Sequence, residues 1–497
     1  MRQVLAAALL GVVSAAAFEP LALPGVMLLA VAGYLFVVRT LRDAPVRRVL
    51  LVGLVFGLAF MGPLIWWMNA VDPWAWVALV AIEALLISLI TWVLRAAVQA
   101  PWWPLWAAAV WTAGEQLRGS FPLTGFPWGR LAHTAIDARF EGWVRLVALP
   151  ATSFLMALTA GLLVVAVTQR RVLVLAVAIA IPSIGLLLPV GIADGGATKT
   201  VAVVQGNTPG PFLQWPRAEI FRLHVAETER IDQPVDAVIW PENGSDLDVL
   251  NNAYARDEVT RLAREVGAPI LVGAILDGPS PDTAYNASVL VDENGPKQDV
   301  YLKLYPVPYG EYVPFREQLG SLVPRFDRDI PRDILAGDEP GAMTLDGLTI
   351  GLTICWDIAY DGAVHGAVDL GAEMIAVQTS NASFMDFGRG VQPQQQWAIS
   401  RLRAIETGRW VAVASTNGIS GIVDPEGHVV GRAPAKEPAT VIADVQAAEG
   451  TTPATRYGSW WTMVIYVVSV AGWVLGKRQL RRSGREDAGH HPDLQRG

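Results

Sequence analysis

The amino-acid sequence predicts an integral membrane bundle of about eight α-helical spans combined with an α/β domain that lies outside the cytoplasm. Hydrophobic residues make up 52% of the 497 residues and charged residues only 17%, whereas an ordinary soluble protein carries about 25% charged residues. The apolar excess is concentrated in residues 1–192 and in one stretch near the C-terminus. Residues 200–455, in contrast, alternate strand and helix patterns, which is typical of a layered α/β domain.

Hydrophobic runs predict the boundaries of the membrane part. A helix needs about 20 predominantly apolar residues to cross the hydrocarbon core. The runs cover residues 4–18, 22–38, 49–68, 74–94, 102–114, 142–168, 172–192 and 460–476. We therefore predict a membrane bundle of seven spans over 1–195, an α/β domain over 196–455, an eighth span over 456–477 and a basic tail over 478–497.

The charges between the runs predict the orientation. Short cytoplasmic loops collect Lys and Arg, and the loops around Glu19 and Asp72 contain neither. The other short loops and the tail contain Arg39, Arg42, Arg47, Arg48, Arg95, Arg170, Arg171, Lys477, Arg478, Arg481, Arg482 and Arg485. Only the longer segment 115–145 places arginines on the outer side, namely Arg118, Arg130 and Arg139, and longer loops obey the rule less strictly. We expect both termini in the cytoplasm. A cleavable signal peptide is the alternative for the first run, which ends in small residues at 15–17, but cleavage would leave the α/β domain on the same side.

Tryptophans and two carboxylates are the notable side chains of the hydrophobic half, and the carboxylates have two interpretations. Tryptophans near the outer ends of spans are expected to anchor at the bilayer interface, and they are Trp66, Trp67, Trp74, Trp76, Trp102, Trp103 and Trp106. Glu83 falls inside a run and Glu115 near the end of another. An intramembrane carboxylate indicates function by default, but a structural hydrogen bond within the bundle is the alternative, so neither receives a catalytic role.

Composition also excludes several classes of protein. Cys355 is the only cysteine, which excludes a disulfide framework and any multi-cysteine metal site. The six histidines are scattered, and no Gly-Lys-Ser/Thr loop for phosphate is present. We therefore expect neither a metal nor another cofactor. The net charge of −8 argues against a nucleic-acid partner.

Three strand ends in the α/β domain carry reactive side chains. The predicted strands are 201–204, 237–240, 270–274, 350–354, 374–378 and 411–414, with helices at about 217–231, 253–266, 361–370 and 393–407. Glu242 and Cys355 follow apolar strands, and Lys303 lies among aromatic residues and prolines. Taken singly, these could be an exposed loop glutamate, a surface lysine and a small buried thiol. Together they can supply a base whose pKa burial would raise, an oxyanion stabiliser and a nucleophile.

At these residues the sequence resembles the nitrilase superfamily of carbon–nitrogen hydrolases and acyltransferases, which is built on a Glu-Lys-Cys triad. Over almost its whole length it resembles the apolipoprotein N-acyltransferase family. The matching segments are 115–118, 125–128, 204–207, 240–242, 303–314, 403–409 and 416–418. The Gly-Glu-Tyr-Val-Pro motif at 310–314 is the most specific of them. The resemblance implies a nitrilase-like α-β-β-α sandwich for the domain outside the cytoplasm.

The resemblance also implies a role for each matching residue. Cys355 corresponds to the nucleophile, Glu242 to the general base, and Lys303 to the group that stabilises the oxyanion together with the backbone N–H of Trp356. Glu311 corresponds to a second glutamate that positions the catalytic groups. Further supporting or lipid-contacting positions are Asp357, Trp215, Val307, Tyr309 and Asn381.

The sequence departs from the family pattern at a few places. Asp357 stands where glutamate is common, residues 380–385 differ from the usual Ser-Asn-Asp-Ala-Trp-Phe segment, and Gln395-Gln396 replaces a Gln-His pair. These changes leave the triad intact and affect the expected shape of the acceptor or lipid pocket. The preference for arginine over lysine and the abundant alanine suggest a GC-rich bacterial source.

The implied activity is transfer of an acyl chain from a membrane phospholipid, through a cysteine thioester, to the α-amino group of an S-diacylglyceryl-cysteine at the N-terminus of a lipoprotein. The implied partners are the phospholipid, the lipoprotein and the bilayer of a bacterial inner membrane, with the protein monomeric. One alternative is a membrane-tethered amidase that uses water as the acceptor. Another is a transporter or lipid-binding membrane protein without catalysis, although the repeated halves with broken helices typical of transporters are not evident.

Overall fold

The computed structural model describes residues 1–210, 216–319 and 330–489, with side chains as far as Arg482. The helices are α1 (Arg2–Ala15), α2 (Pro24–Arg39), α3 (Val46–Leu64), α4 (Pro73–Ala97), α5 (Trp103–Arg118), α6 (Glu141–Gln169), α7 (Val172–Gly185), α8 (Glu219–Thr228), α9 (Ala253–Val266), α10 (Arg316–Leu319), α11 (Asp361–Asp369), α12 (Ala382–Asp386), α13 (Val391–Thr407) and α14 (Pro453–Gly489). Short 3₁₀ helices cover Trp66–Ala70, Leu131–Thr134 and Cys355–Ala359.

The strands all lie between residues 195 and 448. They are β1 (Gly195–Gln205), β2 (Ala237–Ile239), β3 (Ile270–Asp277), β4 (Thr283–Asp292), β5 (Gly295–Leu302), β6 (Asp333–Leu335), β7 (Gly341–Leu345), β8 (Leu348–Ile354), β9 (Met374–Thr379), β10 (Val411–Ser415), β11 (Gly421–Val423), β12 (Val429–Arg432) and β13 (Ala439–Ala448). The chain divides into two compact units. Unit 1 contains Met1–Trp66, Trp76–Leu188 and the chain from Arg456 onward, and unit 2 contains Trp67–Ala75 and Pro189–Thr455.

Unit 1 consists of α1–α7 and most of α14, so each predicted hydrophobic run lies on a helix. Among the described residues, four helical segments are long and apolar enough to cross a membrane, judged by length and composition: Val46–Leu64, Pro73–Ala97, Glu141–Gln169 and Pro453–Arg482. Helices α1, α2 and α7 are apolar but shorter. Helix α2 begins at Pro24, a residue that suits the first turn because its missing N–H has no partner there.

The two carboxylates of the hydrophobic half make structural hydrogen bonds inside unit 1. Glu83 pairs with Arg118 at 2.5 Å between Oε2 and Nε, and both side chains are buried. Arg118 also donates to the backbone oxygen of Trp128 at 2.8 Å. Glu115 accepts a hydrogen bond from the backbone N–H of Leu131 at 2.9 Å. These contacts hold the segment that follows α5, so the structural interpretation accounts for both carboxylates.

Unit 2 is a sandwich of two β-sheets covered by helices. In the described chain, the seven-stranded sheet has the order β13-β1-β2-β3-β4-β5, with β6 paired to β4, and the six-stranded sheet has the order β12-β11-β10-β9-β8-β7. Strands β1–β3 are parallel, as are β8–β10. Helices α8 and α9 pack against the first sheet, and α11 and α13 against the second. The predicted α-β-β-α layering is therefore confirmed.

The predicted strands and helices of this domain are all observed, and α9 has the predicted bounds. The prediction omitted the antiparallel strands, among them β5 and β13. In β5 only the first residue and Tyr301 are buried. Such a strand forms because its neighbour β4 supplies hydrogen bonds, which a local hydrophobic pattern does not reveal.

Two of the tryptophans predicted to anchor at the interface are buried instead. Trp103 is 6% exposed, and the guanidinium of Arg39 lies 4.7 Å from the centre of its ring. Trp67, which belongs to unit 2, is 3% exposed and donates its indole N–H to Gln395 Oε1 at 2.9 Å. Its ring meets that of Phe384 edge-on at 5.4 Å. The prediction failed here because each of these residues has a tryptophan neighbour, and adjacent side chains cannot face the same way.

Candidate active site

Cys355 occupies a strained turn at the end of β8. It opens the 3₁₀ helix Cys355–Ala359 with a φ of +55°, a conformation that costs a non-glycine residue about 1–3 kcal/mol and occurs mainly at functional sites. Burial raises the pKa of the thiol, the charge of Glu242 raises it further, and the ammonium of Lys303 opposes both. The thiol is therefore protonated at rest and needs a base to become a nucleophile.

Lys303 joins the two predicted glutamates. Its Nζ lies 2.9 Å from Glu242 Oε1 and 2.8 Å from Glu311 Oε2, and its side chain is 1% exposed. Burial alone would lower the pKa of Lys303, but the charges of Glu242 and Glu311 raise it well above its ordinary value. The ammonium consequently stays charged and interacts electrostatically with Cys355 as well.

Asn286 and Ser380 complete the surroundings of the carboxylates, and the sequence analysis missed both. The side-chain nitrogen of Asn286 donates to Glu242 Oε1 at 2.7 Å and to Glu311 Oε1 at 2.9 Å. The backbone N–H of Ser380 donates to Glu242 Oε2 at 2.8 Å. Asn286 is 1% exposed within β4. An amide within a strand of mostly buried residues is the signal that could have identified it.

Asp357 holds the cysteine turn to the Lys303 segment. It is buried and accepts hydrogen bonds from Tyr301 Oη at 2.9 Å, from the N–H of Ile354 at 3.2 Å and from the N–H of Tyr305 at 3.2 Å. Burial raises its pKa from 3.8 to about 6, and the charge of Lys303 opposes that shift. The shorter aspartate that distinguishes this sequence therefore still reaches three donors.

Helix α13 supports the same turn from its other side. Gln396 donates its side-chain N–H to the backbone oxygen of Cys355 at 2.8 Å. The buried guanidinium of Arg403 donates to the backbone oxygens of Ile358 at 2.9 Å and Ala359 at 3.0 Å, at the end of the 3₁₀ helix. The Arg403 guanidinium thus satisfies carbonyl groups that the C-terminal end of a helix leaves unpaired.

Two of the residues predicted to contact lipid lie on the turn that follows Lys303. The N–H of Val307 donates to Glu311 Oε2 at 2.7 Å, so this turn helps to orient the second glutamate. Tyr309 has a φ of +59°, and its N–H donates to the backbone oxygen of Tyr312 at 2.7 Å. Trp215, the third residue predicted to contact lipid, lies outside the described residues.

Asn381 and Trp356 are both buried near the cysteine turn. The side chain of Asn381 accepts a hydrogen bond from Ser415 Oγ at 2.7 Å and donates to Gln396 Oε1 at 3.3 Å. It is thus linked to the same glutamine that contacts Cys355. The indole N–H of Trp356 donates to the backbone oxygen of Tyr305, which ties the residue after Cys355 to the Lys303 segment.

One group of side chains in the described chain has the spacing of metal ligands. It is separate in sequence from the residues around Cys355. Asp424, Glu426 and His428 offer atoms within 4.8 Å of one another between β11 and β12. The carboxylate of Asp424 accepts the N–H groups of Glu426 and His428, both at 2.9 Å. The hydrogen bonds of this turn account for the cluster without a metal.

The arrangement around Cys355 suits acyl transfer through a covalent intermediate. A buried thiol, a carboxylate and a charged ammonium interact in one place. Covalent catalysis of this kind needs a nucleophile, a base that accepts its proton, and a donor for the developing oxyanion. The site contains side chains of all three types.

Comparisons with known proteins cover both halves of the chain. Residues 200–454 match the family model described as Carbon-nitrogen hydrolase. Residues 10–162 match the model described as Apolipoprotein N-acyltransferase N-terminal domain.

Similar full-length proteins come from several bacteria. The chain is 33% identical to a protein of Mycolicibacterium smegmatis named apolipoprotein N-acyltransferase, over 84% of this chain and 76% of that one. It is 29% identical to a protein of the same name from Azotobacter vinelandii, over 76% of this chain and 73% of that one. Among solved structures, an amidase from Nesterenkonia sp. is 20% identical, with a TM-score of 0.38 over 53% of this chain and 96% of that one.

Proposed function

The chain belongs to the apolipoprotein N-acyltransferase family, and from this premise we propose how its residues carry out the reaction. The overall reaction transfers an acyl chain to the α-amino group of the diacylglyceryl-cysteine at the N-terminus of a lipoprotein. The observation that carries the proposed mechanism is the position of Lys303, whose ammonium contacts Glu242 and Glu311 and interacts electrostatically with Cys355.

In the first half-reaction, Glu242 accepts the thiol proton and the sulfur of Cys355 attacks the ester carbonyl of a phospholipid. The carbonyl oxygen becomes an oxyanion, which the Lys303 ammonium and the N–H of Trp356 stabilise. Two of the ammonium protons engage carboxylates, which leaves the third for the oxyanion. When the intermediate collapses, the C–O bond breaks, the lysophospholipid alkoxide takes the proton from Glu242, and a thioester remains.

In the second half-reaction, the α-amino group of the lipoprotein attacks the thioester. Glu242 accepts a proton from the attacking nitrogen, and the same two donors stabilise the second oxyanion. The C–S bond then breaks, the amide is released, and the thiolate recovers the proton from Glu242. Glu311 and Asn286 act as positioning residues, because they hold Lys303 and Glu242 in place through direct hydrogen bonds.

Membership of this family also supports a membrane topology. We propose a bundle of seven spans over 1–195, a catalytic domain outside the cytoplasm over 196–455, an eighth span over 456–477 and a cytoplasmic basic tail. The apolar helices of unit 1 and the distribution of arginines support this arrangement. It would confine the site to the surface of a bacterial inner membrane, where both lipid substrates reside, and we propose that the protein acts there as a monomer.

The two alternatives are weaker on specific grounds. An amidase of the nitrilase superfamily would account for residues 200–454 but not for the match over 10–162. A transporter or lipid-binding protein would have no use for a nucleophile, a base and an ammonium assembled around a strained turn.

The mechanism predicts an acyl-enzyme that depends on individual side chains. Purified full-length protein incubated with a phospholipid of defined chain length is expected to gain the mass of one acyl group, as measured by intact mass spectrometry. Cys355→Ala should abolish this gain, and Lys303→Gln should slow it by at least a hundredfold, since removing one oxyanion donor typically costs about 10²–10³ in rate. Lys436→Gln is the matched control, because Lys436 lies in the same unit and pairs with Asp386 instead.

A diacylglyceryl peptide added to the acylated protein should discharge the adduct and become N-acylated. Discharge by water at the same rate, with no N-acylated peptide, would identify a hydrolase. An adduct that persists in Cys355→Ala would overturn the assignment of the nucleophile.

A further inference from the structure

A basic cavity lies where α4 and α14 meet in unit 1, and the catalytic mechanism does not use it. Its lining includes the cations Arg95, Lys477 and Arg481 and the indole rings of Trp92 and Trp473. We call this the basic cavity.

Close packing of two helices brings these cations together. Gly476 of α14 lies against the backbone of α4, so closely that an added Cβ would be 1.9 Å from the backbone oxygen of Ala96. Only glycine permits this approach. The residues next to the contact, Arg95 on one helix and Lys477 on the other, therefore open into the same space.

In the described chain, the cations of the basic cavity contact indole rings and a backbone oxygen rather than carboxylates. The ammonium of Lys477 lies 4.2 Å from the ring centre of Trp473 and 5.8 Å from that of Trp92. Arg95 donates one guanidinium nitrogen to the backbone oxygen of Arg42 at 2.7 Å, while its Nε is buried without a hydrogen-bond partner. Among the described residues, none of the three cations forms an ion pair. Like charges gathered without a counter-charge repel one another, so an anion in the cavity would be stabilised.

Apolar stripes on both helices lead to this cavity. On α4, Leu85 and Leu89 precede Trp92 at helical spacing and are 56% and 54% exposed. On α14, Tyr466 and Val470 precede Trp473 in the same way and are 42% and 59% exposed. Residues spaced by three or four positions share a helix face. Each stripe thus ends at an indole ring beside the cations, as a lipid-facing surface ends at the level of headgroups.

We propose that the basic cavity binds the phosphate of an anionic glycerophospholipid, whose acyl chains lie along the two apolar stripes. The cations recognise the phosphate, the indole rings contact the glycerol region, and the stripes select a lipid over free phosphate. Basic pockets between membrane helices bind anionic headgroups in this way. The proposal needs the proposed membrane location but none of the proposed chemistry.

The test counts lipids retained by the full-length protein. Cys355→Ala protein, which forms no acyl-enzyme, is prepared in neutral detergent with phosphatidylglycerol or phosphatidylcholine, and bound lipids are counted by native mass spectrometry. We expect at least one phosphatidylglycerol to be retained with higher affinity than phosphatidylcholine. Lys477→Gln with Arg481→Gln should weaken this binding about 25-fold, because each basic residue near a lipid surface contributes about fivefold.

The matched control is Arg47→Gln with Arg48→Gln. These exposed residues on α3 carry the same charge and fall on the same predicted side, but they do not line the cavity. An equal loss of phosphatidylglycerol binding in both double variants would overturn the proposal, since it would indicate that the lipid is attracted by the overall positive charge of this side and not by the cavity. Equal retention of the two lipids, or displacement by inorganic phosphate at the same concentration, would also overturn it. Lys477→Arg should retain binding, and unfolding temperatures in phosphatidylcholine should show that each variant folds.

Discussion

Lys303 is a buried ammonium shared by two carboxylates, and this sharing determines the charge of the site. With Glu242 and Glu311 ionised, the three groups have a net charge of −1, and Asn286 contributes two hydrogen bonds without adding charge. A buried charge is tolerated only when hydrogen bonds satisfy it. The neutral amide therefore lets two carboxylates coexist beside one cation and one thiol.

Replacing the amide should slow the chemistry without weakening substrate binding. In Asn286→Leu both carboxylates lose a donor, and hydrogen bonds to charged groups contribute about 1.5–3 kcal/mol each. We expect kcat to fall by at least tenfold and KM to change little, measured with a diacylglyceryl peptide acceptor. Asn251→Leu, at an exposed position whose side chain donates to Asp248, is the control. A rise in KM with unchanged kcat would contradict a positioning role.

Asp357 should make the stability of unit 2 depend on pH. Burial raises its pKa from 3.8 to about 6, so between these values the folded protein holds a proton that the unfolded chain has released. The free energy of unfolding then falls as the pH rises, by about 3 kcal/mol in total, with the full contribution present below pH ~4 and lost above pH ~6.

The unfolding temperature measured from pH 4 to pH 7 reports this effect. Asp357→Asn cannot ionise, and its unfolding temperature should decline less over this range than that of the unaltered protein. Asp369→Asn, at an exposed position on α11, should leave the decline unchanged. An identical decline in Asp357→Asn would show that another group is responsible.

At the scale of elements, the 3₁₀ helix Cys355–Ala359 holds the proposed nucleophile, and α13 holds that helix. Gln396 contacts its first residue, and Arg403 contacts its last two. Arg403 is fully buried and also pairs with Asp361 at 2.8 Å. One helix thus fixes both ends of a strained turn, which keeps the turn in a conformation that it would not adopt by itself.

Arg403→Lys is expected to loosen this turn, because lysine keeps the charge but lacks the planar fork that reaches several acceptors. The loss of two hydrogen bonds to a charged group should destabilise the protein by about 3 kcal/mol. Hydrogen exchange of residues 355–361 should accelerate. Arg401→Lys, on the same helix and bonded to the backbone of Gly427, should leave exchange there unchanged. Equal exchange in both variants would contradict a specific role for Arg403.

At the scale of the whole molecule, the exposed surface differs between the two units. Unit 1 exposes large apolar side chains such as Val167, Val172, Leu173 and Leu187, each at least 75% exposed. Soluble proteins rarely expose contiguous apolar surface of this extent. Contact with lipid would remove this apolar surface from water, which supports the proposed bundle of spans.

The proposed topology can be tested by thiol labelling in intact cells. Cys355→Ala removes the only cysteine and provides a background for single additions. Ser280→Cys, in an exposed turn of unit 2, should react with a membrane-impermeant maleimide, whereas Arg47→Cys should react only after the membrane is permeabilised. The reverse pattern, or equal labelling of both, would contradict the predicted orientation.

The sequence by itself determined the helices of unit 1 and the main strands of unit 2, and it singled out Glu242, Lys303 and Cys355 as candidate reactive residues. Each of these depends on local patterns: long apolar runs, short buried strands, and a motif that spans a few residues after Lys303. Such patterns can be recognised in consecutive residues, because the burial of side chains along a helix or a strand repeats with the period of that element.

Only the tertiary structure decided how those residues meet. Asn286 joins Glu242 to Glu311 across β4, Arg403 reaches a turn more than 40 residues earlier in the chain, and Gly476 brings the basic residues of α14 against α4. No local pattern encodes these contacts, because they link elements far apart in sequence. The candidate nucleophile is apparent from the chain alone, but the charge balance and the strained turn around its thiol arise from packing.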